Sequence, residues 1–170
     1  MKSYLKNPVS YAMAVGLLLG CQNNYHHTVK SAFQKSLIQK RIKGTPYNLS
    51  LPANYVVKEK DGPDFSVYYF QPYDTADKTS FRGGLYLGNA PGSFNKDYST
   101  CKTDSLHSSF LGEDKQWTIY DCDGKYSIQI ITGSKSGMSW GRLIHSFGRA
   151  NSKAEVNKLL EVYSTLAIKK

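Results

Sequence analysis

Beyond residue 45 apolar and polar positions alternate in short runs, and a helical repeat occurs only toward the two ends of the chain. Between residues 29 and 42, Val29, Phe33 and Leu37 recur at every fourth position with Ala32 and Ile38 beside them. This spacing predicts an amphipathic helix ended by Gly44 and Pro46. Tyr47 to Leu51 alternates and stops at Pro52, Tyr55 to Lys58 is a second short run, and Phe65 to Phe70 is a third, closed by Gln71-Pro72. Asp61-Gly62-Pro63-Asp64 has the composition of a turn. Leu85 to Leu87 reads as a strand among Gly83, Gly84 and Gly88, and Met138 to Phe147 as another after a Gly133-to-Gly137 loop. Residues 73 to 80 are polar, and residues 89 to 104, rich in Asn, Gly, Ser and Lys, read as a long loop.

Two local patterns are more specific. Trp117 to Ile131 reads as a hairpin about Asp123-Gly124, because a two-residue turn of this kind needs positive φ at both positions. Its register sets Ile119 opposite Ile128 and Trp117 opposite Ile130, so that all four share one sheet face, with Cys122 on the other. Near the end of the chain, Ser152 and Glu155 have the spacing of a capping box ahead of a helix whose stripe is Val156, Leu159, Leu160, Tyr163 and Leu166. The sum is an α+β domain: a mostly antiparallel sheet of about six or seven strands, with an N-terminal and a C-terminal helix packed on it.

The amino terminus carries a different signal. Lys2 and Lys6 precede an apolar run, Tyr11 to Leu19, of nine residues, whereas a membrane-spanning helix needs about 20. Leu18-Leu19-Gly20-Cys21 resembles the bacterial lipobox. The resemblance implies that residues 1–20 are a signal peptide, and that the Cys21 thiol, the nucleophile of the set, takes a diacylglyceryl group. It further implies acylation of the new amino terminus and a stable lipid anchor. Residues 21–28 would then be the lipidated cysteine and a polar tether, and 29–170 a single domain. Gln22, by similarity to bacterial sorting rules, implies the outer membrane facing the periplasm rather than the inner membrane. The competing reading is a buried helix with a chance cysteine.

Charge and cysteine count acquire meaning from that leader. The formal net charge is +9, and loss of Lys2 and Lys6 leaves +7. Export removes nucleic acid as the expected partner of so basic a chain and leaves anionic envelope surfaces, acidic partners or a simply solvated surface. Lys30, Lys35, Lys40, Arg41 and Lys43 put part of the charge beside the expected anchor, where anionic headgroups are one possible contact and solvent the other. There are three cysteines. With Cys21 acylated, Cys101 and Cys122 remain, and in an oxidising compartment the pair is expected to form a disulfide. Thirteen tyrosines and seven phenylalanines suit a sheet-rich domain.

Catalytic patterns are sparse. Ser93-Phe-Asn-Lys96 and Ser99-Thr-Cys-Lys102 share a Ser-x-x-Lys spacing, but Ser3 to Lys6 in the leader has it too, and the companion motifs are missing. Asp121-Cys-Asp123-Gly124 resembles the start of a calcium loop without its closing acid, and a hairpin turn accounts for it. His107 and His145 remain as acid–base candidates. No catalytic residue, metal site or cofactor is expected.

The order of elements, with a strand running into Leu51-Pro52, meandering strands and a capped terminal helix, resembles the PsbP-like α/β/α sandwich over residues 45–170. Several bacterial envelope lipoproteins, including immunity proteins against secreted effectors, are built this way. The tether, the compact sheet domain and the lack of a catalytic constellation point to a non-enzymatic module that binds another envelope or exported protein, an immunity protein among the forms it could take. The expected contact surface is the long loop pinned by Cys101, with Asn89, Phe94, Lys96, Tyr98 and Lys102 as its candidate residues. An envelope hydrolase acting on cell wall or lipid, and a structural lipoprotein binding peptidoglycan or anionic lipid, are the alternatives.

Overall fold

The computed structural model describes residues 30–74, 76, 80–94, 98–134 and 142–169. Cys21 and Lys96, and with them the leader and tether, lie outside the described residues. The elements in order are α1 (Ala32–Ser36), β1 (Ile38–Arg41), β2 (Tyr47–Leu51), β3 (Tyr55–Asp61), β4 (Phe65–Pro72), β5 (Arg82–Gly88), β6 (Lys102–Phe110), β7 (Glu113–Cys122), β8 (Lys125–Gly133), β9 (Leu143–Ala150), α2 (Lys153–Ser164) and β10 (Ala167–Ile168). They form an α+β fold with two antiparallel sheets. The larger has seven strands in the order β3-β4-β5-β9-β8-β7-β6, and the smaller has three in the order β1-β2-β10.

The hairpin register follows from the turn. Asp123 and Gly124 have φ of 56° and 80°, as a type I′ turn requires, and Ile119 lies opposite Ile128. Asp121 Oδ1 accepts from the Gly124 N–H at 2.9 Å, so this carboxylate belongs to the turn. A second turn of the same kind joins β6 to β7 at Leu111 and Gly112, with φ of 54° and 79°. It divides a stretch whose composition gives little strand signal, because β6 is an edge strand with mostly exposed, polar residues.

The predicted helix over 29–42 is corrected. Among the described residues of that range only Ala32–Ser36 is helical, capped by the Ser31 side chain, and Leu37 turns extended. Ile38–Arg41 then pairs with β2. An isolated helix of five residues gains little, because nucleation is costly. Pairing instead supplies backbone partners to β2, whose Tyr47, Leu49 and Leu51 are buried. Gly44, with φ of 73°, therefore serves the β1–β2 turn and does not end a long helix.

The α2 helix packs between the two sheets. Ser152 Oγ accepts from the Glu155 N–H at 3.2 Å, and the Glu155 carboxylate reaches one residue further back than a standard capping box, accepting from the Asn151 N–H at 2.7 Å. Val156, Leu159, Leu160 and Tyr163 are buried as the stripe predicts, and so is Val162, off the stripe. The second buried side arises because β2 also contacts the helix. Each fully buried aliphatic side chain contributes roughly 1.5–3 kcal/mol.

Close approach of α2 to the sheet depends on glycine. A Cβ at Gly148 would lie 2.4 Å from Leu159 Cδ2 and 2.8 Å from the Arg82 carbonyl oxygen. Next to it the fully buried Tyr163 hydroxyl accepts from the Gly84 N–H at 3.1 Å and lies 2.9 Å from the Gly84 carbonyl, with the Phe147 carbonyl as a second possible acceptor. Burial holds this phenol well above the usual tyrosine range, so it stays a donor.

Candidate functional site

α2 covers one face of the seven-stranded sheet. The opposite, outer face carries the alternate residues of the same strands. Register places Val67, Tyr86, His145 and Ile131 in one row across β4, β5, β9 and β8. Phe147 and Gln129 fall in the next row. The described part of residues 89–101 lies over this face.

Its anchor is Phe94. The ring sits 5.1 Å from His145 and 5.6 Å from Phe147, centroid to centroid, and its backbone N–H donates to Gln129 Oε1 at 3.2 Å. Tyr98 stacks on Tyr120 at 5.1 Å with planes 23° apart. Asn89 Oδ1 accepts from the Arg142 N–H at 3.3 Å, fixing the start of the segment to the start of β9. The Cys101–Cys122 disulfide fixes its end. Lys102 lies opposite Asp121 in the β6–β7 ladder, so one step earlier Cys101 falls opposite Cys122, with Cα atoms 4.7 Å apart. The expected pairing of these two cysteines is thus present.

The five loop candidates do not form one surface. Phe94 and Tyr98 are half-buried and turned onto the sheet, Asn89 is exposed, and Lys96 lies outside the described residues. Lys102 belongs to β6 and lines a groove on the α2 side with Asp104, Leu106, Asp121, Tyr126 and Lys153.

His145 is the buried polar centre of the outer face. Gln129 Nε2 donates to the Tyr120 hydroxyl at 2.7 Å, which leaves Gln129 Oε1 as the acceptor for Phe94 and for His145 Nε2 at 3.1 Å. His145 therefore carries its proton on Nε2. Burial lowers its pKa to about 4, so the ring is neutral at pH 7. His107, on the edge strand three places away, is exposed and pairs with Asp114 at 2.9 Å. The two acid–base candidates thus have separate surroundings. Among the described residues no three His, Cys, Asp or Glu side chains gather where they could hold a metal ion.

Two adjoining cavities of about 250 Å³ each open on the outer face and share Tyr69, Phe94 and Phe147. One extends past Val67, Tyr86 and His145, the other past Gln71, Arg82 and Arg149. Tyr69 is 40% exposed, although its strand is flanked by β3 and β5. The sequence singles out the segment above the groove and, of its floor, only His145. Tyr69, Gln129, Phe147 and Arg149 carry no motif, and only strand alternation, extended over the four strands β4, β5, β9 and β8, groups them.

The chain matches no protein-family model and no curated protein.

Proposed function

We propose that the chain is a lipid-anchored protein of the bacterial envelope, cut before Cys21, whose domain is a non-enzymatic module that binds another envelope or exported protein. The observation that carries the reading is the outer-face groove: half-buried aromatic side chains, roofed by a segment that a disulfide holds in place. Two adjoining cavities with aromatic walls and a few polar groups are the kind of feature that marks a binding site. The disulfide also leaves Cys21 as the odd cysteine of three, which supports the lipobox reading and an oxidising compartment.

The PsbP-like resemblance is supported by the seven-stranded antiparallel sheet with a capped helix on one face. It differs in that, among the described residues, the outer face carries an irregular segment where a sandwich has helices. Within this class, an immunity protein against a secreted effector is the role that best fits a tethered module, and the outer membrane facing the periplasm is its proposed location.

The test is affinity capture from envelope extracts with the intact lipidated protein, set against a variant lacking residues 90–99. Specific recovery of one protein by the intact form and its loss with the deletion is the expected result. Recovery of no protein partner would overturn the reading.

A further inference from the structure

We propose that the outer-face groove docks an acidic segment of the partner protein, with an apolar side chain set between Phe94, Tyr69 and Phe147 and with flanking carboxylates on Arg149 and Arg82. The proposal deepens the protein-binding reading and rests on it.

Charge segregation on the sheet carries the argument. Arg82 and Arg149 lie directly opposite each other in the β5–β9 register, and both line one cavity. Side by side, they concentrate positive charge at the rim of that cavity. Arg82 also has a partner within the chain, so Arg149, which is exposed, is the principal cation. β3 sorts its charges by face. Lys58 and Lys60 pair with Tyr69 and Val67, which places them on the outer face, whereas Glu59 and Asp61 pair with Tyr68 and Ser66 on the other. Along β3, β4, β5, β9 and β8, the described outer-face positions include Lys58, Lys60, Arg82, Arg149 and Lys125 and no carboxylate.

The groove selects within anionic partners. Its walls are aromatic and its volume suits one inserted side chain, and aromatic walls with arginine at the rim are the composition of interface anchors. A flat layer of lipid headgroups would meet the cations and leave the cavity unfilled. A protein segment with acids on both sides of an apolar residue satisfies both features.

The experiment uses the full chain purified in detergent and a fluorescein-labelled peptide with two acidic residues on each side of a central Phe. A second peptide replaces each acid by its amide, and a third replaces the Phe by Gly. Fluorescence anisotropy is expected to show saturable binding of the first peptide and binding about tenfold weaker or more for each of the other two. Arg149→Gln is expected to weaken the first peptide by about tenfold, and Lys153→Gln, on the α2 side, to leave it unchanged. Thermal unfolding of each variant establishes that it is folded. No binding of the acidic peptide up to millimolar concentration, equal binding of acidic and amide peptides, or indifference to Arg149→Gln overturns the proposal. So does the case in which phosphatidylglycerol vesicles bind in an Arg149-dependent way and the peptide does not. If envelope capture still recovers a partner with Arg149→Gln, the protein-binding reading stands and this groove is rejected as its site. If capture fails with the unaltered protein, the reading itself falls.

Discussion

Lowering the pH from 7 to 5 should destabilise the domain through His145, and the size of the effect follows from its surroundings. The ring is 3% exposed, donates a hydrogen bond from its Nε2–H to Gln129 Oε1, and is flanked by Phe94 and Phe147. Burial lowers its pKa to about 4, against about 6.5 in the unfolded chain. The unfolded state thus takes up a proton at a higher pH than the folded state does. Stability is whole above about pH 6.5, declines as the pH falls, and reaches its full loss below about pH 4. The complete difference is about 3 kcal/mol, of which about 2 kcal/mol is lost between pH 7 and pH 5. Most carboxylates remain ionised at pH 5, which separates this window from general acid unfolding. The assay is urea unfolding at both pH values for the unaltered protein and for His145→Gln, which keeps a donor near Gln129 and cannot titrate. His26, His27 and His107 are common to both proteins and cancel in the difference. The unaltered protein should lose about 2 kcal/mol more than the variant over this interval. Equal losses would refute the assignment of His145 as a buried neutral ring.

Other consequences concern the scaffold. Tyr163→Phe removes the hydroxyl that serves the Gly84 N–H and a sheet carbonyl, and should cost about 1–3 kcal/mol in chemical unfolding with the fold retained. Gly148→Ala places a methyl group against Leu159 and the Arg82 carbonyl, and should cost about 1–3 kcal/mol, seen as a lower Tm; a Tm at or above that of the parent would contradict the close packing of α2. Replacing Cys101 and Cys122 together by Ala opens a link across a separation of 21 residues and should lower stability by about 3 kcal/mol. The same change should increase amide exchange in residues 89–101 more than in β8 or β9, and uniform exchange would argue against the bridge as the fastener of that segment.

The sequence revealed features whose cause is local and missed those set by distant contacts. Asp123-Gly124 determines a turn by its own backbone preference, and the register of β7 and β8 follows. Ser152 and Glu155 likewise mark the start of α2 from within four residues. The extended run after Leu37 has no such local cause. Ile38 to Arg41 is a strand because β2 lies beside it, and β10 forms because the end of α2 returns the chain to β2. The candidate site divides in the same way. Cys101 and Cys122 were legible as a pair, since the lipobox reading assigns Cys21 elsewhere and leaves no other pairing. Phe94 and Tyr98 were legible as part of a distinctive segment, but their inward direction depends on Gln129, His145 and Tyr120, which lie 22 or more positions further along the chain. Arg82 and Arg149 meet only through the β5–β9 crossover, which no short-range pattern encodes.

The lipid proposed on Cys21 comes first, because compartment and expected partners both depend on it. Its most direct measurement is metabolic labelling of a bacterial host expressing the chain with an alkyne-bearing palmitate, followed by intact-mass analysis of the unaltered protein and of Cys21→Ser. Lipidation at Cys21 predicts a labelled product that begins at Cys21 with residues 1–20 removed, and a Cys21→Ser chain that is unlabelled and retains its leader. Label entering the Cys21→Ser chain, or an unaltered chain that carries no lipid, would contradict it.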